Sequence, residues 1–94
     1  MRVRWLRTAL ANLEAEAAYI AEDDPAAAGR VVHKILRAVD LLKKNPALGR
    51  VGRVAGTREL VVADTPYIIP YWVRGDAVEI LRVFHVVRKW PGKL

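Results

Sequence analysis

The segment at residues 49–60 carries Arg50, Arg53 and Arg58 among three glycines, and its first acidic residue is Glu59. A loop that only connects two elements does not require so much positive charge. Guanidinium groups bind phosphate oxygens through paired hydrogen bonds, and glycine allows the backbone to approach a ligand closely. The segment is therefore predicted to form a surface rim that contacts phosphate groups or an acidic protein.

Proton transfer is the second chemistry that the sequence offers, because histidine is the side chain suited to acid–base work near neutral pH. His85 lies near the end of the last predicted strand, whereas His33 lies beside Lys34 in the middle of a predicted helix. His85 is therefore the candidate general acid or base, and its alternative is a histidine packed on a sheet. His33 is predicted to be a surface residue.

Composition favours a single folded domain of 94 residues, since 53% of the residues are hydrophobic. The chain has no cysteine, which excludes disulfides and thiolate metal sites and fits a reducing cytoplasm. Its apolar runs are too short to span a bilayer, and its N-terminal segment lacks the apolar region of a signal peptide. The net charge is +6, with −2 over residues 1–29 and the excess beyond them, which favours a polyanionic partner.

Two helices are predicted to precede the arginine-rich segment. After a short apolar strand at residues 3–6, Thr8 could cap a first helix that carries one apolar stripe. Asp24 and Pro25 fit the N-cap and the first position of a second helix, which must end before Pro46. The tight acidic corner between the two helices predicts a helical hairpin.

Three strands are predicted to follow the arginine-rich segment. They span residues 57–63, 67–73 and 78–87. Gly75-Asp76 would form a tight hairpin between the second and third of them. Pro70 cannot donate a hydrogen bond to a neighbouring strand, so it predicts a bulge or an edge at that point.

The predicted order is β-α-α-β-β-β, an α+β fold with a helical hairpin on one face of a four-stranded, mainly antiparallel sheet. The whole chain, residues 1–94, is predicted to be one domain, and the other face of the sheet is left for a partner or substrate. Strict alternation puts Arg82 and His85 on opposite faces of the last strand. The sequence leaves open which of the two faces the open side.

This pattern resembles the RelE/ParE superfamily, the toxins of bacterial type II toxin–antitoxin pairs. Three segments carry the resemblance: ANLEAEAAYIAEDDPAAAGRVV, NPALGRVGRVAGTRELVV and PYIIPYWVRGDAVEILRVFHVVRKWP. The resemblance implies the fold above, with its last strand central in the sheet. One branch of the superfamily cuts messenger RNA on the ribosome, and another inhibits DNA gyrase without known hydrolytic chemistry. Both are neutralised by a small antitoxin.

If the chain belongs to the ribonuclease branch, the candidate catalytic residues of a metal-independent site are His85, Arg58, Arg82 and Tyr67. The candidate nucleic-acid contacts are Arg50, Arg53, Arg88, Lys89 and Trp90. Members of that branch usually carry an arginine where this chain has Tyr67, which offers stacking or a proton but no fixed charge. That departure counts against efficient cleavage.

Two functions are therefore expected, and the ribosome-dependent endoribonuclease that blocks translation is slightly preferred over the gyrase inhibitor. The histidine and the basic tail favour the first, and the missing arginine favours the second. In either case the expected partner is a cognate antitoxin, laid as an extended acidic and apolar chain over the helical hairpin and sheet edges. No metal, small-molecule cofactor or membrane is expected, and the expected setting is the bacterial cytoplasm, in a system that stabilises a plasmid or locus.

Overall fold

The helical hairpin is present in the computed structural model, which describes residues 1–87. Helix α1 spans Arg7–Asp23, helix α2 spans Pro25–Asp40, and a 3₁₀ turn follows at Leu41–Lys43. Asp24 joins the helices with an extended backbone, and its Oδ1 accepts a hydrogen bond of 3.1 Å from the Ala27 N–H. The predicted cap at Asp24, with Pro25 at the start of α2, is confirmed.

The predicted cap of the first helix was wrong. Leu6 occupies the N-cap position and Thr8 lies within α1. The Leu6 N–H donates to the Ile80 carbonyl at 3.1 Å, while the Leu6 carbonyl accepts from the Leu10 N–H at 3.1 Å. The chain therefore passes directly from strand pairing into the helix, and no side-chain cap is needed.

A mixed sheet packs against this hairpin. Its strands are β1 (Arg2–Trp5), β2 (Arg50–Val51), β3 (Arg58–Val61), β4 (Tyr67–Arg74), β5 (Ala77–Ile80) and β6 (Phe84–His85). Their order is β1-β5-β4-β3-β2, with β6 continuing beyond β5 as a second partner of β4. Among the strand pairs of residues 1–87, only β1–β5 is parallel. The α+β class is confirmed, but the sheet of residues 1–87 has six strands rather than four.

The last predicted strand is divided because of Pro70. Tyr71 is paired with Ile80 in β5, whereas Ile68 is paired with Phe84 in β6. Two residues of β4 therefore face three residues of the segment that joins β5 to β6, which is the pattern of a β-bulge. Pro70 has no N–H to donate, and its carbonyl accepts from the Leu81 N–H at 3.0 Å. The bulge predicted at Pro70 is confirmed.

The core lies between the hairpin and one face of the sheet. Its buried members are Ala9, Leu13, Ile35, Val39, Leu42, Leu60, Val62, Tyr67, Ile69, Tyr71, Val78, Ile80 and Val83. Burial of each large apolar side chain contributes about 1.5–3 kcal/mol. Alternation directs the intervening side chains to the opposite side of the sheet, which we call the outer face. No helix among residues 1–87 has the length and apolar character needed to cross a membrane.

The α2 cap provides a first test. Asp24→Ala removes the acceptor for the Ala27 N–H and should lower the free energy of unfolding by about 1 kcal/mol in urea titrations. Asp24→Asn keeps a capping oxygen and should restore most of that loss. Asp23→Ala, one residue earlier and also exposed, is the matched control. An equal loss in Asp23→Ala would show that the effect is general charge removal rather than capping.

Candidate functional site

Tyr67 and His85 lie together on the helix-facing side of the sheet. They are paired across β4 and β6, and their rings are perpendicular with centroids 5.5 Å apart. Tyr67 is only 2% exposed, and its hydroxyl donates to Oε1 of the buried Glu16 at 2.9 Å. The backbone N–H of Val87 donates to Nδ1 of the half-buried His85 at 3.3 Å. Tyr67 is thus turned toward the helices, and stacking on a nucleic-acid base is incompatible with this burial.

These side chains border a cavity of about 450 Å³ between the hairpin and the sheet. Its wall consists of Glu16, Tyr19, Ile20, Val31, Pro66, Tyr67, His85 and Val87. A carboxylate, a phenol and an imidazole therefore border one cavity, and the phenol is hydrogen-bonded to the carboxylate. None of the three carries the fixed positive charge that a phosphate group would need.

Arg82 lies on the outer face, away from His85. Val83, its neighbour, is 4% exposed and belongs to the core, and His85 shares that side two residues later. The bulge is the cause, since simple alternation from Ile80 would have turned residue 82 inward. Nη1 of Arg82 donates to the Leu81 carbonyl at 2.9 Å. The alternative that the sequence left open is thus decided geometrically: Arg82 faces outward and His85 faces the helices.

Arg58 is committed to the loop that precedes β2. It is opposite Tyr71 in the β3–β4 register. Its Nη1 donates to the Gly49 carbonyl at 2.8 Å and to the Ala47 carbonyl at 3.4 Å. The guanidinium therefore fastens residues 47–49 to the sheet. A catalytic role for Arg58 would require these bonds to be exchanged for contacts with substrate.

Arg50 and Arg53 surround a buried carboxylate. The register of β2 and β3 puts Arg50 opposite Glu59, which is 2% exposed. Oε1 of Glu59 accepts from the Arg50 guanidinium at 3.1 and 3.3 Å, and Oε2 accepts from the Arg53 N–H at 2.9 Å and Nε at 3.1 Å. The charge of this loop thus compensates an internal acid, and the predicted phosphate rim would have to compete with Glu59.

Hydrogen bonding decides the ionisation of Glu59. Burial alone would raise its pKa, but the backbone N–H and guanidinium of Arg53, together with Arg50, outweigh that effect and lower the pKa below its ordinary value of 4.5. Glu59 therefore stays ionised at neutral pH and holds both arginines. Sequence reasoning missed this residue because its partners depend on the β2–β3 register, although an acid among three arginines was the available signal.

The Tyr71 hydroxyl holds the start of the same loop against the sheet. Its hydroxyl accepts from the Gly49 N–H and donates to the Pro46 carbonyl, both at 2.8 Å. A Cβ atom at Gly49 would lie 2.6 Å from the Tyr71 ring and 3.0 Å from the Glu59 carbonyl. Gly49 is therefore required for close packing against Tyr71. This glycine serves the fold rather than the approach of a ligand.

A second carboxylate, Glu79, organises the part of the outer face that lies over β4 and β5. It is 6% exposed, and it accepts a hydrogen bond of 2.8 Å from Trp72 Nε1 and another from the Arg4 guanidinium. Those two bonds lower the pKa of Glu79. The Arg74 guanidinium lies 3.9 Å above the Trp72 ring centroid, a cation–π contact. Sequence reasoning missed this cluster, although the hairpin predicted at Gly75-Asp76 pairs Trp72 with Glu79.

The predicted site residues are thus divided among different surroundings. Tyr67 and His85 share the inner cavity, and Arg82 lies on the outer face. Arg50, Arg53 and Arg58 hold the loop around Glu59 and Gly49. The predicted contacts Arg88, Lys89 and Trp90 lie outside the described residues. Among residues 1–87, no group of three or more acidic or histidine side chains is arranged to hold a metal ion.

The family model described as "ParE toxin of type II toxin-antitoxin system, parDE" matches residues 3–90. Fold and sequence together therefore define the class: this is a small α+β toxin of a type II toxin–antitoxin system. The chain belongs to this ParE toxin family, and the expected membership of the RelE/ParE superfamily is confirmed. Such toxins are one half of a toxin–antitoxin pair, so the family implies a cognate antitoxin.

Individual relatives agree with this assignment. "Putative toxin Y4kP" of Sinorhizobium fredii is 56% identical over 93 residues, covering 99% of this chain and 96% of the relative. "Toxin RelE2" of Caulobacter vibrioides is 40% identical over 87 residues, covering 93% and 97%. Among solved structures, a chain of the "Chromosomal ParDE TA system from P. aeruginosa" superposes with a TM-score of 0.82 at 32% identity, covering 92% and 96%.

The Glu59 cluster makes stability depend on pH. Because its pKa is lowered in the folded state, its contribution is present above about pH 4.5 and is lost as the pH falls below that value. Glu59→Gln should lower the free energy of unfolding by about 2 kcal/mol at pH 7. This difference from the unmodified chain should shrink toward pH 3, as measured by urea denaturation. Asp76→Asn, which removes an exposed partner of Arg2, should change stability by less than about 0.5 kcal/mol.

Gly49 provides a steric test of the loop anchor. Gly49→Ala should destabilise the fold by about 1–3 kcal/mol, because the new methyl group overlaps the Tyr71 ring. Gly29→Ala in α2 meets no atom within 4 Å and should stabilise by about 0.5–1 kcal/mol. Thermal unfolding of the two variants is the measurement. Equal stability in both variants would contradict the packing role assigned to Gly49.

Proposed function

We propose that this toxin arrests growth by binding DNA gyrase, without hydrolytic chemistry of its own, and that a cognate antitoxin neutralises it. One observation carries the proposal. The side chains expected to cut RNA do not share a surface within residues 1–87: His85 and Tyr67 face the helices, whereas Arg82 faces outward. Inhibition by binding requires only a complementary surface and no assembled catalytic group.

RNA cleavage makes stricter demands. A base must take the proton of the 2′-hydroxyl, an acid must protonate the leaving oxygen, and cations must stabilise the phosphorane, all around one phosphorus atom. The nearest arginines of the loop are already engaged by Glu59 and by backbone carbonyls. Moving them to a phosphate would leave a buried carboxylate unpaired, which is strongly unfavourable.

The family match also supports gyrase inhibition over RNA cleavage. The matching model is the ParE toxin family, and the solved structure described above comes from a ParDE system. Of the two branches that the resemblance implied, the one that inhibits gyrase is the ParE type. The proposal therefore reverses the preference that the sequence alone suggested, in which His85 and the basic tail favoured the ribonuclease.

A ribosome-dependent endoribonuclease is the second candidate, and one relative favours it by name. "Toxin RelE2" is 40% identical over nearly the whole chain. The cavity that holds Glu16, Tyr67 and His85 would then be the acid–base part of the site. The described residues that border this cavity include no arginine or lysine, so this alternative requires displaced loop arginines as cations, and the predicted contacts Arg88 and Lys89 lie outside the described residues.

One experiment separates the two candidates. The chain is induced in a bacterium that carries a reporter plasmid, and plasmid topology and primer extension on a reporter transcript are followed in parallel. The gyrase proposal predicts relaxed plasmid, induction of the DNA-damage response and intact messenger RNA. Purified chain should likewise inhibit supercoiling by purified gyrase in a concentration-dependent manner.

His85→Gln is the informative variant in this experiment. It removes the acid–base group but keeps a polar side chain of similar reach, so gyrase inhibition and growth arrest should persist. The ribonuclease alternative instead predicts loss of transcript cleavage by about 10²-fold or more. Cleaved transcripts with unchanged plasmid topology would overturn the gyrase proposal.

A further inference from the structure

The cavity between the hairpin and the sheet is bordered by a buried carboxylate and several aromatic rings, and the proposed inhibition of gyrase makes no use of it. Its volume of about 450 Å³ lies within the range of pockets that bind small ligands, about 300–1,000 Å³. Glu16 on α1 is only 7% exposed. A carboxylate so far removed from water is stable only beside hydrogen-bond donors or a positive charge.

Aromatic rings form the corner of the cavity that lies on the sheet. The ring planes of Tyr67 and His85 meet at 88°, with centroids 5.5 Å apart. Tyr19, whose side chain is 60% exposed, borders the cavity from α1. The faces of aromatic rings attract cations. Nδ1 of His85 accepts from the Val87 N–H, so this imidazole is neutral and adds no positive charge.

The electrostatic surroundings of the cavity are negative. The described residues that border it include no arginine or lysine. Residues 8–29, which include most of α1, contain five carboxylates and no basic side chain, in a chain whose net charge is otherwise strongly positive. The Tyr67 hydroxyl donates to Oε1 of Glu16 at 2.9 Å and so orients the carboxylate. This part of the molecule therefore favours a positively charged ligand.

Other classes of ligand suit the cavity less well. A wholly apolar molecule would displace water from Glu16 without supplying a hydrogen-bond donor in its place. A carboxylate or phosphate would meet the charge of Glu16 without a compensating cation among the described lining residues. A metal ion would need more ligands than one carboxylate and one imidazole, and residues 1–87 contain no larger group of them.

We infer that this cavity binds an aliphatic ammonium ion, borne either by a free amine or by a lysine side chain of another protein. The ammonium group donates hydrogen bonds to the Glu16 carboxylate. The alkyl part packs against Ile20, Val31 and the corner formed by Tyr67 and His85. The inference goes beyond the proposed function and does not depend on gyrase as the target.

Three probes of the same shape test the role of charge. The ammonium ion tert-butylammonium, the neutral tert-butanol and the anion trimethylacetate share a tert-butyl group. Titrations at equal ionic strength are followed by NMR through the methyl groups of Ile20 and Val31, which line the cavity, with the core methyl groups of Val78 as reference. Saturable shifts are expected from the ammonium ion alone, in the millimolar range. Equal binding of the alcohol, binding of the anion, or no saturable shift with the ammonium ion would overturn the inference.

Glu16→Gln removes the charge but keeps an oxygen that can accept from Tyr67. It should weaken binding of tert-butylammonium about tenfold. Glu14→Gln is the matched control, because Glu14 is exposed on the same helix and does not line the cavity. Circular dichroism establishes that both variants are folded. An equal loss of affinity in both variants would show that the ion senses only the general charge of α1, and would refute a specific site.

Tyr19 provides a test that does not disturb the core, because its side chain is largely exposed. Tyr19→Leu removes the aromatic face and should weaken tert-butylammonium about threefold, whereas Tyr19→Phe keeps the ring and should keep the affinity. This pair remains informative if Glu16→Gln does not fold. The same affinity in the leucine and phenylalanine variants would contradict the aromatic contact on which the inference is based.

Two further titrations identify the source of the ammonium group. Tighter binding of Nα-acetyl-lysine methylamide than of n-butylammonium would support a lysine side chain, and the reverse would support a free amine. A variant that combines Arg88→Gln and Lys89→Gln tests the chain's own cations. Binding of the probes to this variant alone would show that the site serves the chain itself, and would overturn the inference. Supercoiling by gyrase is assayed separately, so failure of the proposed function leaves these results unaffected.

Discussion

The missing N–H of Pro70 determines how the central part of this sheet is arranged. Because β4 cannot donate a hydrogen bond at Pro70, the segment paired with β4 contains one additional residue there and is divided into the strands β5 and β6. The bulge turns Arg82 outward and leaves His85 against Tyr67 beneath the helices. Alternation alone would keep Arg82 and His85 on opposite faces, and a single imino acid decides that His85 is the one that faces the helices. The functional consequence is that acid–base groups and positive charge belong to opposite faces of one sheet.

The arginines of this toxin serve its own carboxylates before they serve a partner. Glu59 is held by Arg50 and Arg53, and Glu79 by Arg4 together with Trp72. The net charge of +6 already includes these carboxylates, and each of them is balanced by the guanidinium groups beside it. What remains is an ordered polar surface on which guanidinium groups are already oriented. Such a surface suits recognition of a shaped protein partner better than attraction of a flexible polyanion.

Local signals predicted the local structure well. Asp24-Pro25 predicted the corner of the helical hairpin, and Pro70 predicted the bulge, because each of these residues acts through its own backbone geometry. The class of the fold followed from the order of the elements. The site was not predictable in the same way. The partners of Arg50 depend on the register of β2, a strand of two residues, and the surroundings of His85 depend on where a single extra residue is inserted. Both are properties of pairing between distant segments, which one sequence does not determine.

The parallel pairing of β1 with β5 has a consequence for synthesis of the protein. Arg4 and Glu79 are 75 positions apart, so the first strand of the nascent chain has no partner until residues 77–80 have left the ribosome. Contacts of such long sequence separation form late in folding. A truncated translation product therefore cannot complete the sheet and carries no finished toxin surface.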